Sequence, residues 1–158
     1  MKSLAISLAA ASAVILPTAS FAATSGTVSA SVTVGYSCDI TVPSNQLLTV
    51  SGTSASASAD LPYSQNGSTD YSLTSLSITS PTGSDVSGSI TVTDASSNVL
   101  VTNTSESSSA TGTTSTGANT GTGSVAFAIS EDTASVFIEG PYAISSTLSC
   151  SESAGGGL

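Results

Sequence analysis

The sequence predicts an all-β protein, a single antiparallel β-sandwich preceded by one alternating N-terminal extension strand. Three observations carry that prediction. Apolar residues beyond position 22 recur with period two, and no stretch there shows a convincing 3.6-residue period. Ser and Thr make up about two fifths of the chain, while long helix formers are scarce. About seven or eight short alternating runs, separated by turn signals, fall within roughly 115 residues, a count that fits one sandwich.

In chain order, the first element is a leader. A basic start at Lys2, an apolar run over 4–16 and the ending Ser20-Phe21-Ala22 predict a signal peptide over 1–22, cut after Ala22. The run is shorter than the roughly 20 residues of a membrane-spanning helix. With no lipobox cysteine, sortase motif or hydrophobic C-terminal tail, the expectation is an exported chain without membrane insertion, reaching the extracellular space or cell surface through the periplasm.

Residues 27–42, TVSASVTVGYSCDITV, place an apolar residue or cysteine at every even position and a polar residue or glycine at every odd one. Such a ribbon would extend about 50 Å, well beyond an ordinary strand of about 5 or 6 residues. Gly35 divides it and is the candidate hinge. Val28, Ala30, Val32 and Val34 precede it in an extension over 23–35, a candidate donor strand. Tyr36, Cys38, Ile40 and Val42 follow it and open a sandwich domain over 36–150.

Residues 47–50 form the next short run. Tyr71-Ser72-Leu73 and Leu76-Ser77-Ile78 alternate out of phase by one residue, which predicts a bulge or two short strands. Val86, Gly88, Ile90 and Val92 alternate into the turn-rich segment 94–98, and 99–101 returns as a hairpin partner. Val125, Phe127 and Ile129 make a further strand, followed by runs at 136–138 and 142–150. Between them, 103–124 holds no apolar residue larger than Ala and reads as a long, mobile, solvent-facing loop. Residues 151–158 read as a flexible tail. Sequons at Asn66 and Asn103 carry little weight beside a bacterial-looking leader.

The leader contains Lys2, the sole basic side chain, so its removal leaves 10 acidic residues and moves the formal charge from −9 to −10. Without cations the chain is expected to bind no nucleic acid and no anionic membrane surface. Without His, a Ser-His-Asp or Cys-His catalytic set cannot be assembled, and zinc and copper ligands are in short supply. Asp132-Thr133-Ala134 is only a faint match to an aspartic protease signature. Glu131-Asp132, Asp60 and Asp70 lack the spacing of a calcium loop. The expectation is no enzyme, no catalytic residue, no cofactor and no metal site. Cys38 and Cys150 lack C-x-x-C spacing and cationic neighbours, so the pair is expected to form one disulfide tying the first strand of the domain to the last.

The layout of leader, alternating extension and Cys38-anchored first strand resembles the fimbrial subunits of the chaperone-usher route, including the archaic group related to spore coat protein U. The ending GPYAISSTLSC, with Gly140, Tyr142, Ile144 and Leu148, is similar to their C-terminal Gly-x-Tyr alternating strand. The resemblance implies an incomplete immunoglobulin-like sandwich that is completed by the extension of the next subunit. It also implies a head-to-tail homopolymer serving adhesion or biofilm formation, with a periplasmic chaperone and an outer-membrane usher as partners. Physically this is β-augmentation through a contact that does not close on itself. The competing reading is a monomeric secreted or surface-exposed sandwich that binds through the loop at 103–124.

Overall fold

The computed structural model describes residues 29–154 except 113–114 and 134–135. The expected leader, residues 23–28 with Val28, and residues 155–158 lie outside the described residues. The chain divides into two units, Met1–Thr33 and Val34–Leu158. Of the first, residues 29–33 are described, exposed and without a strand.

Every regular element among the described residues is a β-strand, and every ladder is antiparallel. In chain order they are β1 (Cys38–Ile40), β2 (Thr49–Ser51), β3 (Ser54–Asn66), β4 (Thr69–Leu73), β5 (Ser77–Thr79), β6 (Val86–Thr93), β7 (Val99–Asn103), β8 (Ala110–Thr111), β9 (Ala118–Glu131), β10 (Ala143–Ser145) and β11 (Leu148–Glu152). Six strands form one sheet in the order β1-β3-β9-β6-β7, with β2 on the same edge of β3 as β1. The others form β11-β4-β8 and β10-β5.

The two smaller sheets are one ladder with an irregularity in the middle. Ser145 pairs with Ser77 and Leu148 with Leu73, leaving two residues opposite three. Thr74 spans the mismatch, its N–H donating to the Thr147 carbonyl at 3.0 Å and its Oγ1 accepting from the Thr147 N–H at 2.9 Å. The phase slip between Leu73 and Leu76 is thus resolved as two short strands.

Alternation along β3 explains its length. Ala55, Leu61, Tyr63 and Gln65 are buried, with Ala57 and Ala59 half-buried between them, while the intervening Ser, Asp and Pro residues are exposed. The core lies between the layers. Leu61, Ile90, Val92, Leu100, Val101 and Val125 of the large sheet meet Tyr71 and Leu73 of β4, with Leu76 beside them. Each large apolar side chain so buried contributes about 1.5–3 kcal/mol.

A polar group sits at one end of this core and is fully paired. Tyr71 is solvent-inaccessible and donates its hydroxyl to Gln65 Oε1 at 2.8 Å. Gln65 Nε2 in turn donates to Ser115 Oγ at 3.1 Å and the Gly117 carbonyl at 3.0 Å, holding the segment before β9 against β3. Burial pushes the Tyr71 phenol from its ordinary value near 10 up to about 12, with the Tyr63 and Tyr36 phenols pushing the same way. Raised pKa in the folded state means that the folded chain holds this proton more tightly than the unfolded one. Its contribution to stability is therefore fully present below pH 10 and is lost as the pH rises towards 12. The urea midpoint should fall steeply across that window, and Tyr71→Phe should flatten the fall. A midpoint constant from pH 9 to 12 would contradict the burial of this phenol.

Several sequence expectations change. The segment 103–124 is no continuous loop: Ala110 and Thr111 pair with Leu73 and Ser72, and 118–124 runs along β3 from Asn66 to Asp60. Residues 136–138 form no strand, whereas β3 was not foreseen. Gly140 and Tyr142 lie outside any strand, and Ile144 and Leu148 fall in β10 and β11 instead of one continuous strand, because Thr74 and Ser146–Thr147 interrupt the ladder. The final strand continues through Ser151 and Glu152, opposite Asp70 and Thr69, into the segment expected to be a tail. Asn103 is only 3 % exposed and donates to the Thr74 and Ser108 carbonyls, so its sequon is closed to modification in the folded chain.

Candidate functional site

The described part of the N-terminal arm, residues 29–34, is exposed. Ala30, Val32 and Val34 are exposed, Val32 to 85 % and Val34 to 74 %, and residues 29–37 carry no strand. Asn66 holds the chain at Gly35 and Ser37. Asn66, the last residue of β3, donates Nδ2 to the Gly35 carbonyl at 2.8 Å and accepts the Ser37 N–H on Oδ1 at 2.7 Å. Tyr36 donates its hydroxyl to Thr69 Oγ1 at 2.9 Å. A Cβ at Gly35 would meet nothing within 4 Å, so no steric contact requires glycine at this junction.

Three residues further on, Cys38 in β1 is bonded to Cys150 in β11, with Cα atoms 6.3 Å apart. The bond joins the edge of the large sheet to the edge of the second layer. First and last strands of the domain are stapled as the sequence predicts.

Beside this staple the seam between the layers is open. On the β1/β2 edge, β3 is paired at Ser54–Ser56 and from Pro62 to Gln65, but 57–61 has no strand partner there among the described residues. Pro62 has no N–H to offer a neighbour, although its carbonyl accepts from the Thr41 N–H. The connection between β1 and β2 leaves the sheet over 42–48. Opposite it runs β10, whose one strand partner among the described residues is β5.

A groove of about 470 Å3 lies between these two walls. Val42, Leu47, Leu48, Phe127, Tyr142 and Ile144 provide its apolar lining, and no charged residue lines it. Leu47 is 94 % exposed, and Val42 and Val50 are exposed as well. Ile144 and Ile78 are cross-strand partners that both rest on Gly88 of β6, where a Cβ would lie 2.7 and 2.8 Å from their Cδ1 atoms. Tyr142 is held by an edge-on contact with Phe137, centroids 4.7 Å apart, and donates its hydroxyl to the Ile138 carbonyl at 3.1 Å. Gly140 has φ +147 and packs against Pro81, so it shapes the approach to β10.

Of the residues singled out in the sequence, Tyr142 and Ile144 line this groove and Cys38 and Cys150 form the disulfide, whereas the 42–48 wall and Phe127 were missed. The signal in the sequence was Leu47-Leu48, an apolar pair one residue after the Pro43-Ser44-Asn45 turn. Three of the acidic residues, Glu131, Asp132 and Asp94, have structural partners. Glu131 is buried and accepts from Ser84 Oγ at 2.8 Å, and Asp132 accepts from Ser87 Oγ at 3.0 Å. Asp94 closes the β6–β7 turn, where the Asn98 amide holds its carboxyl below the usual range, aided by the Asn98 and Ser96 N–H groups. No three His, Cys, Asp or Glu side chains gather as a metal set among the described residues. No helix among them is long and apolar enough to cross a membrane.

No family model matches the chain, and no curated protein or solved structure matches it.

Proposed function

We propose that the protein is an exported structural subunit of an extracellular filament, built by β-strand donation and serving adhesion or biofilm formation. In this reading the body is an incomplete immunoglobulin-like sandwich and the arm 27–34 of one copy fills the open seam of the next. The observation that supports it is the fit of two uncharged parts within a strongly acidic chain. The arm carries no charge and has apolar side chains at every second position, while the groove sets apolar side chains among Ser, Asn and Gln, has no charged residue in its lining and is bordered by an edge strand. Main-chain pairing with β10 would supply adhesion, and the alternate valines would set the register. Burial of Val28, Val32 and Val34, with less from Ala30, contributes about 5–9 kcal/mol before the arm is ordered. A periplasmic chaperone would then cover the groove before assembly at an outer-membrane usher.

The competing monomeric binder relied on a long loop at 103–124, and strands β8 and β9 take up much of that segment. The test uses two forms of the chain. Full-length material should give a ladder of oligomers resistant to SDS and fibres by electron microscopy, and deletion of 27–34 should leave a folded monomer. That monomer should bind the synthetic peptide TVSASVTV one to one, and the peptide change Val32→Asp should abolish binding. Full-length chain that stays monomeric, with no peptide binding, would sink the reading.

A further inference from the structure

We propose that the Cys38–Cys150 disulfide carries the tension of the assembled filament, keeping the rest of each subunit off the path of force. This rests on the strand-donation reading. Three segments assigned to assembly converge on the bond. The arm leaves the body at Gly35, three residues before Cys38. One groove wall starts at Val42, four residues after Cys38, and the other ends at Ser146, four residues before Cys150. The cysteines themselves are 112 residues apart in sequence.

A pull that enters a subunit at β10, through the neighbour's docked arm, leaves it through its own arm at Gly35. With the disulfide closed the covalent path runs from Ser145 to Cys150, across the sulfurs, and from Cys38 to Gly35. That path spans about 8 residues and can lengthen by at most about 30 Å. With the disulfide open the path from Gly35 to Ser145 spans 110 residues, or about 360–400 Å when extended. Residues 49–142, which hold β2 to β9, sit in the closed loop and bear no end-to-end load. Asn66 adds a non-covalent hold at the same place, since its side chain grips Gly35 and Ser37 on either side of Tyr36. The staple therefore lies where force would otherwise begin to peel β1 from β3.

Single-molecule stretching tests this on the full chain. The synthetic peptide TVSASVTV is tethered to a surface, the oxidised protein is captured by its groove, and the pull is applied at its N-terminus. Oxidised protein should release about 30 Å or less before the peptide detaches. Protein reduced with dithiothreitol, or carrying Cys38→Ser with Cys150→Ser, should release more than tenfold more length. Long extension in the oxidised state would overturn the proposal. So would an equally short extension in both states, because the force would then enter through the 42–48 wall, which reaches Gly35 without crossing the disulfide. Failure of the peptide to capture the protein would overturn both this proposal and strand donation, whereas capture with either wrong extension would overturn the tension path alone.

Discussion

Replacing Cys38 and Cys150 by Ser is expected to lower the unfolding free energy by about 4 kcal/mol, which is a loss of roughly 2 M in the urea midpoint. The size follows from the loop. A bond between residues 112 apart in sequence removes much of the freedom of the unfolded chain, and the chain-entropy relation assigns such a loop about 4–5 kcal/mol. The folded side of the balance is local. β1 is three residues long, and its one large apolar side chain, Ile40, is only half-buried. Packing of a single half-covered Ile contributes less than about 3 kcal/mol, so the covalent bond outweighs the contacts that hold this strand. Amide exchange should accordingly rise first at 38–40 and at the arm root in the Ser variant, while β3, β9 and β6 keep their protection. A midpoint within 0.5 M of the parent would mean that the unfolded chain is already confined without the bond.

Strands were legible where the sequence offers contrast between neighbours. Val86, Ile90 and Val92 against Ser, Thr and Gly, or Val125, Phe127 and Ile129 against Ala and Ser, mark an inside and an outside by size as well as polarity. The stretch SASASADLPYSQN offers Ala against Ser, a difference of little hydropathy, and then Asp60 and Pro62, two residues that ordinarily argue against a central strand. It is nevertheless the longest-paired strand with β9, matched residue by residue from Ser54 to Asn66. Pro62 is tolerated because its missing N–H faces Thr41, at the point where pairing with the β1 edge ends, and not the continuous ladder with β9. Tertiary pairing thus decides a segment whose own preference is weak.

The disulfide was readable because the chain holds two cysteines, which leave one pairing. The alternation over 27–42 was legible as a pattern, but of its described residues only Cys38–Ile40 form a strand. The groove was not legible, since its walls, 42–48 and 143–146, lie about a hundred residues apart in sequence. The openness of the seam is a property of the pairing pattern rather than of any short stretch. The same holds for the break between β10 and β11, where Thr74 replaces a regular ladder contact with its own hydroxyl.

Gly123→Ala is expected to destabilise the fold by about 3 kcal/mol, although a glycine-rich loop would predict the opposite sign. The stretch NTGTGS at 119–124 holds Gly121 and Gly123 and has the composition of a mobile linker. In a mobile segment, Ala for Gly restricts the unfolded chain and raises stability by about 0.4–1 kcal/mol. In the structure Gly123 is part of β9, opposite Leu61 of β3, and β6 ends beside it. A Cβ there would collide with the Thr93 carbonyl and come within 3.2 Å of the Asp94 carbonyl carbon. Backbone cannot step aside at this point without disturbing the Asp94–Asn98 turn that joins β6 to β7. Gly121 is a milder case, because the nearest atoms to its added Cβ are side-chain atoms of Ala95 and Tyr63, at 3.0 and 3.1 Å. The expected order of stability is therefore Thr122→Ala, an exposed control within about 0.5 kcal/mol of the parent, then Gly121→Ala, then Gly123→Ala. Urea midpoints of the three variants give the order directly. A Gly123→Ala protein as stable as the parent would remove 118–124 from β9 and return that stretch to the surface as a loop, restoring the contact segment on which a monomeric binding domain depends.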